Sequence, residues 1–513
     1  MNSMLKRIFA GILLASMAAA VGCGGEAQTP TGDTTASDTA ETTEAGPMKP
    51  EDYNRENAEL LLPDLDFGGQ EIKVLYSNTT VDKQDVYAEQ TGDVVDEAVY
   101  ARNMWLEDTL NIKFTPVQGE DKTLDTMNKL STAILAGDDM CDLAAVHQAY
   151  SSKYVTEGYY TNMINDPYIN WEMPWWNLDY MNELAVGDKT RFFLMGDISL
   201  MRIKSMACIY YNKELCDDLY GDPDYMYDLV LDGKWTFDKF AEMTAEAYAD
   251  LNGNTIADKG DRFGSFATAN KSVEHFFYAS GITSTTKNKN GIPELTMNNE
   301  KTINFCEKIY KYYYENPGMT KGSDDAFKEE VKAFIGGEYL FAPLWFRQAT
   351  ELRDMETDYG IINFPKYDEK SEHKTLVHDG TTIYVVPTTS TQADKIGAVC
   401  EAMALYNYKH VTPAYFEVAM KVKYTRDEKS SQIIDMISQS ASTKTHPGLG
   451  MNILRISAPK SVLTGIFCKL GSVEDNLPVA VTRFWNVVRI RPSASITLSK
   501  PSAYVDFSLL SIL

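Results

Sequence analysis

The 513-residue chain has few residues of the kinds that several function classes need. It carries 48 Lys and Arg against 73 Asp and Glu, a formal charge of −25, so it lacks the clustered positive charge that holds nucleic acid. Its seven cysteines include no CxxC pair and lie far apart. This spacing disfavours a disulfide framework, a metal site or a redox motif, and it favours buried thiols.

Sequence motifs of the common enzyme classes are also missing. The chain has no GxSxG, HExxH, Walker loop or GxGxxG. The six histidines stand singly, and no two have ligand spacing on a helix. A pair of carboxylates for glycoside hydrolysis is defined in space rather than in sequence, so 73 acidic residues leave that chemistry open.

The apolar and aromatic content is high enough for a folded body. Hydrophobic residues make up 44% of the chain, which excludes a wholly disordered protein and allows two large lobes or three ordinary domains. There are 30 Tyr, 21 Phe and 7 Trp. Core packing accounts for most aromatic residues in proteins, and the alternative is a surface that binds the flat apolar faces of sugar rings.

The first residues predict export and a lipid anchor. Lys6 and Arg7 precede an apolar run of 14 residues from Ile8 to Val21, too short to span a membrane and typical of a signal peptide over residues 1–22. The run ends in Ala-Val-Gly before Cys23, which resembles the bacterial lipobox and predicts lipidation of Cys23. Plain secretory cleavage, with Cys23 as a free thiol, is the alternative. The predicted location is the extracytoplasmic face of the bacterial cell membrane.

Residues 23–53 predict a disordered acidic linker behind the lipidated cysteine. Residues 24–53 are rich in Thr, Ala, Glu, Asp, Pro and Gly and contain almost no large apolar side chain before Tyr53. Such a stretch cannot bury enough surface to fold. We expect it to hold the folded body away from the bilayer.

Strands and helices alternate after the linker. Residues 71–76, 111–114 and 141–146 read as strands, and the segments between them place apolar residues on one helical face. The βαβαβ order predicts an α/β lobe. Ligands of such sheets bind at the carboxyl ends of the strands, so residues after Tyr76 and Val146 are candidates for binding.

Nine short motifs occur in an order that resembles the family 1 extracellular solute-binding lipoproteins of ABC importers, the group that includes maltose-binding protein. They cover about residues 69–435. They are Ile72-Lys-Val-Leu, Asn111-Ile-Lys-Phe, Cys141-Asp-Leu-Ala-Ala, Pro174-Trp-Trp-Asn, Gly196-Asp-Ile-Ser, Tyr210-Tyr-Asn-Lys-Glu-Leu, Gly233-Lys-Trp-Thr-Phe, Phe334-Ile-Gly-Gly-Glu-Tyr followed by Trp345, and Tyr359-Gly-Ile-Ile-Asn-Phe-Pro-Lys.

The resemblance implies an α/β, two-lobed periplasmic-binding-protein-like fold with a hinge and an interlobe cleft. Lobe 1 would comprise residues 69–204 and 358–410, and lobe 2 residues 205–357 and 411–435. It further implies a monomeric binding protein, not an enzyme, that captures a carbohydrate and delivers it to an ABC permease. A secreted glycoside hydrolase or lyase, and a peptide-binding or adhesin-like surface lipoprotein, are the alternatives. Turnover of a polysaccharide would indicate a hydrolase or lyase, and absence of sugar binding would indicate a peptide-binding or adhesin-like protein.

Several aromatic and polar residues are candidates for ligand binding. An indole can stack on the CH face of a sugar ring, and a guanidinium can donate to hydroxyl pairs or a carboxylate. The alternative role of the candidate tryptophans is core packing, and that of the candidate arginine is a surface ion pair. The candidates are Trp175, Trp176, Trp345 and Arg347, together with Asn78, His147, Gln148, Tyr150 and Asp379, which flank predicted strands.

Residues 250–261 match the spacing of a calcium-binding loop of the EF-hand type. The loop offers side-chain oxygens at positions 1, 3, 5, 9 and 12 and a backbone carbonyl at position 7. Position 6 is Thr255 where glycine is usual, and position 12 is Asp, as in dockerin-type loops. The prediction is a structural Ca²⁺, and the alternative is an ordinary polar surface loop. The ligands would be Asp250, Asn252, Asn254, Ile256, Asp258 and Asp261.

Residues 436–513 differ in composition from the body. They contain eight Lys and Arg against three acids, twelve Ser, five Pro and only one of the chain's 30 Tyr. We interpret them as an atypical basic tail and hypothesise that the reading frame changes near Ser438. A divergent tail that binds membrane or cell wall is the alternative.

Overall fold

The computed structural model describes residues 48–79, 83–185, 190–268, 272–283, 285–289, 293–296, 299–322, 327–378, 380–416 and 428–441. The signal peptide, Cys23, most of the linker, Asp379 and the tail beyond residue 441 lie outside the described residues, so the predictions for them are untested. No helix within these ranges is both long and apolar enough to cross a bilayer.

The described residues from Lys49 on belong to one compact unit of alternating strands and helices. The strands are β1 Gln70–Tyr76, β2 Ile112–Gln118, β3 Leu143–His147, β4 Ala207–Asn212, β5 Phe263–Thr268, β6 Thr285–Lys287, β7 Pro293–Leu295, β8 Met319–Gly322, β9 Tyr339–Trp345, β10 Tyr359–Ile362 and β11 Thr382–Val385. The helices are α1 Lys83–Val86, α2 Val94–Leu110, α3 Thr123–Ala136, α4 Gln148–Thr156, α5 Leu178–Leu184, α6 Leu200–Lys204, α7 Lys213–Tyr220, α8 Tyr225–Leu231, α9 Phe237–Glu246, α10 Ser272–Ala279, α11 Glu300–Glu315, α12 Phe327–Ile335, α13 Ala393–Tyr406 and α14 Glu428–Ser440. Further helical segments are the 3₁₀ helices Pro50–Asp52 and Phe346–Asp354 and the π-helical turn Asn407–Val411.

Within the described residues β6 and β7 pair with each other, and two larger sheets organise the unit and confirm the predicted α/β class. The first has strand order β11-β3-β1-β2, with β1 parallel to β2 and β3, and β11 antiparallel to β3. The second has order β10-β4-β9-β5-β8, in which β4 runs antiparallel to β9 and β10. Each sheet has its own buried apolar cluster, and we call the two bodies the first and second lobe.

Helix caps and the burial pattern along the chain account for the predicted elements of the first lobe. Asp93 caps α2 by accepting from the Val95 amide at 2.9 Å, and α3 ends at Gly137 with a φ of 72°. Every residue of β3 before His147 is buried, as the continuous apolar run predicted. Because β1 and β3 pair in parallel, their carboxyl ends lie side by side.

Aromatic residues build the core of the second lobe. Phe237 and Phe240 of α9 contact Phe276 and Tyr312, with ring centroids 5.1–5.6 Å apart. Thr236 caps α9 by accepting from the Lys239 amide, as predicted. The core-packing explanation therefore holds for this large group of aromatic side chains.

The lobe boundary predicted at residue 358 is wrong. β10 pairs antiparallel with β4, with Ile361 opposite Tyr210, so Tyr359–Ile362 belongs to the second sheet. The chain returns to the first sheet only at β11. The reason is that sheet pairing is non-local, and nothing in the sequence of β10 marks which sheet it joins.

The predicted disorder also extends too far along the linker. A short 3₁₀ turn covers Pro50–Asp52, and Tyr53 is buried in the first lobe's core. Tyr53 is the first large apolar side chain of the segment, so it is the point at which burial begins to offset the entropy of ordering.

Five cysteines are buried as free thiols, in agreement with the prediction. Cys141 and Cys400 belong to the first lobe's core, and Cys208, Cys216 and Cys306 to that of the second. Burial raises the pKa of all five thiols, to about 12 for Cys141, Cys216 and Cys306.

Candidate functional site

The ends of β3 and β11 bring together three of the residues predicted from sequence. His147 is the last residue of β3 and pairs with Thr382. The Gln148 amide donates to the Thr381 carbonyl at 3.1 Å. Tyr150, in the first turn of α4, stacks on His147 with ring centroids 4.6 Å apart. The edge of the first sheet thus carries an imidazole, a buried amide and a phenol.

Asn78 lies at the end of β1, on the same edge of the sheet. Its side-chain amide donates to Asp121 Oδ1 at 2.8 Å, and its backbone amide donates to the Glu120 carbonyl at 2.9 Å. The loop between β2 and α3 therefore holds Asn78.

Two chain segments cross between the lobes beside this edge. Met206 and Val377 form an isolated antiparallel bridge, and the His378 amide donates to the Ser205 carbonyl at 2.9 Å. The first segment leads from α6 into β4, and the second leads towards β11. Such paired crossings are where a two-lobed protein bends.

Glycine at position 380 lets the second crossing pass close to two imidazoles. A Cβ added to Gly380 would lie 2.7 Å from His378 Nδ1 and 3.1 Å from His147 Nε2. The Gly380 amide also donates to His378 Nδ1 at 2.8 Å. A larger residue here would push these rings apart.

Trp345 reaches the same place from the second lobe. It ends β9 and is 1% exposed. Its indole N–H donates to His275 Nε2 at 3.0 Å, and its ring meets that of His378 nearly perpendicularly at 4.9 Å. The Arg347 guanidinium lies 4.8 Å from the indole centroid.

We call Tyr150, His147, His378, Trp345 and Arg347 the junction cluster. Four of its members were predicted from the sequence, and His378 directly precedes the predicted Asp379. The members come from both lobes and from the crossing between them. Aromatic faces, imidazoles that donate and accept, and a forked donor are the groups that recognise a polyhydroxylated ligand. Their position between two lobes is where small-molecule sites commonly lie.

His378 and His275 were missed by the sequence analysis. Both were read as isolated histidines. His378 directly precedes Asp379, which was selected from the sequence, so its adjacency to that residue was an available signal. His275 lies on α10 among buried aromatic residues, and only the contact with Trp345 distinguishes it.

Trp175 and Trp176 lie elsewhere, in the core of the first lobe. They are 1% and 5% exposed. Their indole nitrogens donate to the two oxygens of one carboxylate, Glu401 Oε1 at 3.1 Å and Oε2 at 2.7 Å. This arrangement agrees with the structural alternative, and a ligand role for either indole stays a prediction.

Glu401 is a buried acid on α13. Burial raises its pKa to about 7, although both indoles hydrogen-bond the charged form and lower it. Glu401 therefore changes charge near neutral pH inside the first lobe.

A buried polar network lies at the start of the first crossing. Asp85 accepts hydrogen bonds from Ser199 Oγ at 3.0 Å and from the Leu200 and Met201 amides at 2.5 and 3.2 Å, and so binds the first turn of α6. Burial raises the pKa of Asp85 to about 6. The Arg102 guanidinium, fully buried, donates to the carbonyl of Asp85 at 2.9 Å.

Asn407 extends this network to the π-helical turn after α13. Its Oδ1 accepts from Arg102 at 3.3 Å, and its Nδ2 donates to the Asp197 and Ile198 carbonyls at 2.8 and 3.1 Å. Asp197 in turn accepts from Thr412 Oγ1 at 2.5 Å. The network joins α2, the first crossing and the segment that leads from α13 to α14.

The predicted calcium loop is an exposed turn held by its own polar groups. Asp250 accepts from the Gly253 and Thr255 amides at 2.6 and 2.8 Å. Asp258 accepts from the side-chain amides of Asn252 and Asn254, both at 2.8 Å. Positions 1, 3, 5 and 9 are thus folded into one turn.

Further observations bear on whether the loop can bind a cation. Thr255 has a φ of 64°, the left-handed conformation for which position 6 usually has glycine. Asp261 accepts from the Leu251 and Asp258 amides at 3.1 and 3.2 Å, and Ile256 is exposed. In the described part of the chain, no three His, Cys, Asp or Glu side chains converge as metal ligands. Ca²⁺ would have to replace the amide–carboxylate bonds within the loop.

The calcium prediction has a direct test. If the loop binds Ca²⁺, 1 mM CaCl₂ should raise the Tm of the protein by about 2 °C or more, because a ligand of the folded state stabilises it. The double variant Asp250→Ala, Asp258→Ala should lose this shift, whereas Asp64→Ala, an exposed acid elsewhere, should keep it. Equal melting curves of the wild type with Ca²⁺ and with chelator would contradict the prediction. The measurement is differential scanning calorimetry.

Comparison with known proteins rests on structure. No family model matches the chain, and no curated protein matches it. Among solved structures, a cyclo/maltodextrin-binding protein complexed with maltotetraose is 12% identical and aligns over 82% of this chain and 98% of its own, with a TM-score of 0.50. The chain therefore shares its fold with this cyclo/maltodextrin-binding protein.

Two other similar structures have lower scores. An ABC transporter associated binding protein from B. animalis subsp. lactis Bl-04, in complex with beta-1,6-galactobiose, is 13% identical over 75% of this chain and 89% of its own, with a TM-score of 0.48. An ABC substrate-binding protein from Listeria monocytogenes, in complex with cycloalternan, is 11% identical over 79% and 99%, with a TM-score of 0.47. The fold assignment rests on the first structure alone.

Proposed function

We propose that the protein captures an oligosaccharide between its two lobes and delivers it to the permease of an ABC importer. The observation that carries the proposal is the junction cluster, in which Trp345 of the second sheet meets His378 of the crossing beside His147 of the first. The fold shared with a cyclo/maltodextrin-binding protein complexed with maltotetraose supports it, because small-molecule sites commonly lie where two lobes meet.

Trp345 would supply the surface on which a sugar ring stacks. In the present arrangement the indole is covered, with Arg347 4.8 Å from its centre. We propose that bending at the two crossings opens the lobes, and that the long Arg347 side chain then turns from the indole to the ligand's hydroxyl groups. His147 and Tyr150 would bind the ligand from the first lobe. Because the ligand would contact both lobes, its binding would stabilise the closed state.

The proposed setting of this binding is the outer face of a bacterial membrane. Cleavage after Gly22 and lipidation of Cys23 would anchor a monomeric binding protein through its acidic linker. Membrane fractionation with Cys23→Ser, which should release the protein, addresses this part separately.

The test of the proposed function is equilibrium binding by the full-length protein. Isothermal titration calorimetry with a panel that includes maltotetraose, beta-1,6-galactobiose and short peptides should give saturable binding of a saccharide. Chromatography of the same mixtures after long incubation should show no new product. Saccharide cleavage would favour the hydrolase or lyase alternative, and binding of peptides alone would favour the peptide-binding alternative.

Arg347→Ala should weaken saccharide binding by about tenfold or more, because hydrogen bonds from a charged donor contribute about 1.5–3 kcal/mol. Arg55→Ala, which removes an exposed guanidinium 5.2 Å from the Tyr408 ring centre, should leave the affinity unchanged. The dissociation constant from calorimetry is the measurement. Equal affinities of Arg347→Ala and wild type would remove Arg347 from the site.

A further inference from the structure

The first lobe contains a cavity formed by residues outside the junction cluster. It lies between the end of α4, the end of α5 and residues 190–193, and its volume is about 140 Å³. Its walls are mainly apolar, with side chains of Val155, Met181, Leu184 and Phe193. A cavity of about 150 Å³ lined by such residues is large enough to hold benzene.

One charged group lines this apolar cavity. Arg191 is 9% exposed, its Nη2 donates to Asn182 Oδ1 at 2.7 Å, and its guanidinium lies 4.8 Å from the Trp171 ring centre. Its Nε and Nη1 are buried without a hydrogen-bond partner. Within the described residues no carboxylate forms an ion pair with Arg191, and burial alone lowers its pKa.

A buried guanidinium with unpaired N–H groups is unfavourable unless something accepts those hydrogen bonds. An anion that entered the cavity would accept from one of these N–H groups and balance the charge. The planar guanidinium matches a carboxylate well, and apolar walls favour a ligand with an apolar body over a hydrated inorganic anion.

We propose that this cavity is a binding site for a small organic monocarboxylate whose apolar part is about the size of a benzene ring. The carboxylate would accept from Arg191 Nε or from Nη1, which lie on opposite edges of the guanidinium, and the ring would contact Leu184, Met181 and Phe193. The site is additional to the proposed saccharide site and does not depend on it.

The test uses 4-fluorobenzoate and the full-length protein, observed by ¹⁹F NMR. The probe should bind the wild type saturably, and 4-fluorobenzyl alcohol, a neutral molecule of similar size, should bind about tenfold more weakly or not at all. Arg191→Gln should weaken fluorobenzoate binding by about tenfold and abolish the preference for the acid over the alcohol.

A second variant keeps the proposal testable if Arg191→Gln does not fold. Ala185→Leu retains the arginine and fills the cavity with a larger side chain, because Ala185 is a buried lining residue. It should lose fluorobenzoate binding, while Ala241→Leu, on α9 of the second lobe, should retain it. Circular dichroism establishes that each variant is folded.

Three results would overturn the proposal: no saturable binding of fluorobenzoate to the wild type, equal affinity for the acid and the alcohol, or full binding by Ala185→Leu. Saturating maltotetraose should not displace the probe. Failure of saccharide binding would leave this experiment unaffected, so the two proposals can fail separately.

Discussion

Arg102→Met should lower the free energy of unfolding by about 3–5 kcal/mol, the usual cost of removing one partner from a buried charged network. The guanidinium donates to the carbonyls of Asp85 and Val86, each at 2.9 Å, and to Asn407 Oδ1. Methionine has a similar length but no donor. The variant would leave Asn407 Oδ1 and Asn103 Oδ1 without the bonds that Arg102 donates to them, whereas the carbonyls of Asp85 and Val86 keep bonds from Tyr384 and Asn103. It would also remove the positive charge that lowers the pKa of the buried Asp85 carboxylate.

Urea denaturation followed by tryptophan fluorescence measures this loss. The matched control is Lys113→Met, which removes an exposed ion pair with Glu71 at 2.7 Å and should change stability by at most about 1 kcal/mol. A loss for Arg102→Met no larger than that of the control would show that the network contributes little. The expected difference would establish that the start of the first crossing is fixed by polar bonds.

Glu401 should make the protein less stable as pH rises from 4.5 to 8. Its pKa in the folded protein is about 7, above the ordinary value of 4.5, so the folded state holds the proton more tightly than the unfolded state. The stabilisation from this group is complete below pH 4.5 and is lost as pH rises through 7. The rise in the pKa of Glu401 from 4.5 to about 7 corresponds to about 3 kcal/mol of unfolding free energy.

Glu401→Gln isolates this effect from that of other acids. Asp85, whose pKa is raised to about 6, contributes in the same direction, so the comparison must be between the two profiles. The unfolding free energy of Glu401→Gln should fall less between pH 5 and 8 than that of the wild type, by about 3 kcal/mol. Glu59→Gln, an exposed position, should follow the wild type. Parallel profiles for wild type and Glu401→Gln would contradict the raised pKa.

Sequence patterns predicted the elements whose cause is local. The continuous apolar run of β3, the Thr236 cap of α9 and the strand–helix alternation each depend on neighbours along the chain, and each was confirmed. The sheet to which β10 belongs depends on its pairing with β4, which lies some 150 residues earlier. The local sequence of β10 therefore does not determine which sheet it joins.

The residues of the candidate site likewise divide into those that the sequence predicted and those that only the structure revealed. His147 and Tyr150 were found because the carboxyl ends of parallel strands form one edge of a sheet. His378 and His275 were missed because their importance comes from contact with Trp345 across the fold. The burial of Trp175 and Trp176 similarly depends on Glu401, which lies 226 residues beyond Trp175.

The five buried cysteines provide a separate chemical reporter for each lobe. Cys141 and Cys400 are enclosed by the first core, and Cys208, Cys216 and Cys306 by the second. A buried, protonated thiol reacts with an alkylating reagent only when its surroundings open. Modification rates resolved by peptide mass spectrometry would therefore reveal which lobe opens first, with no engineered label in the described body of the protein.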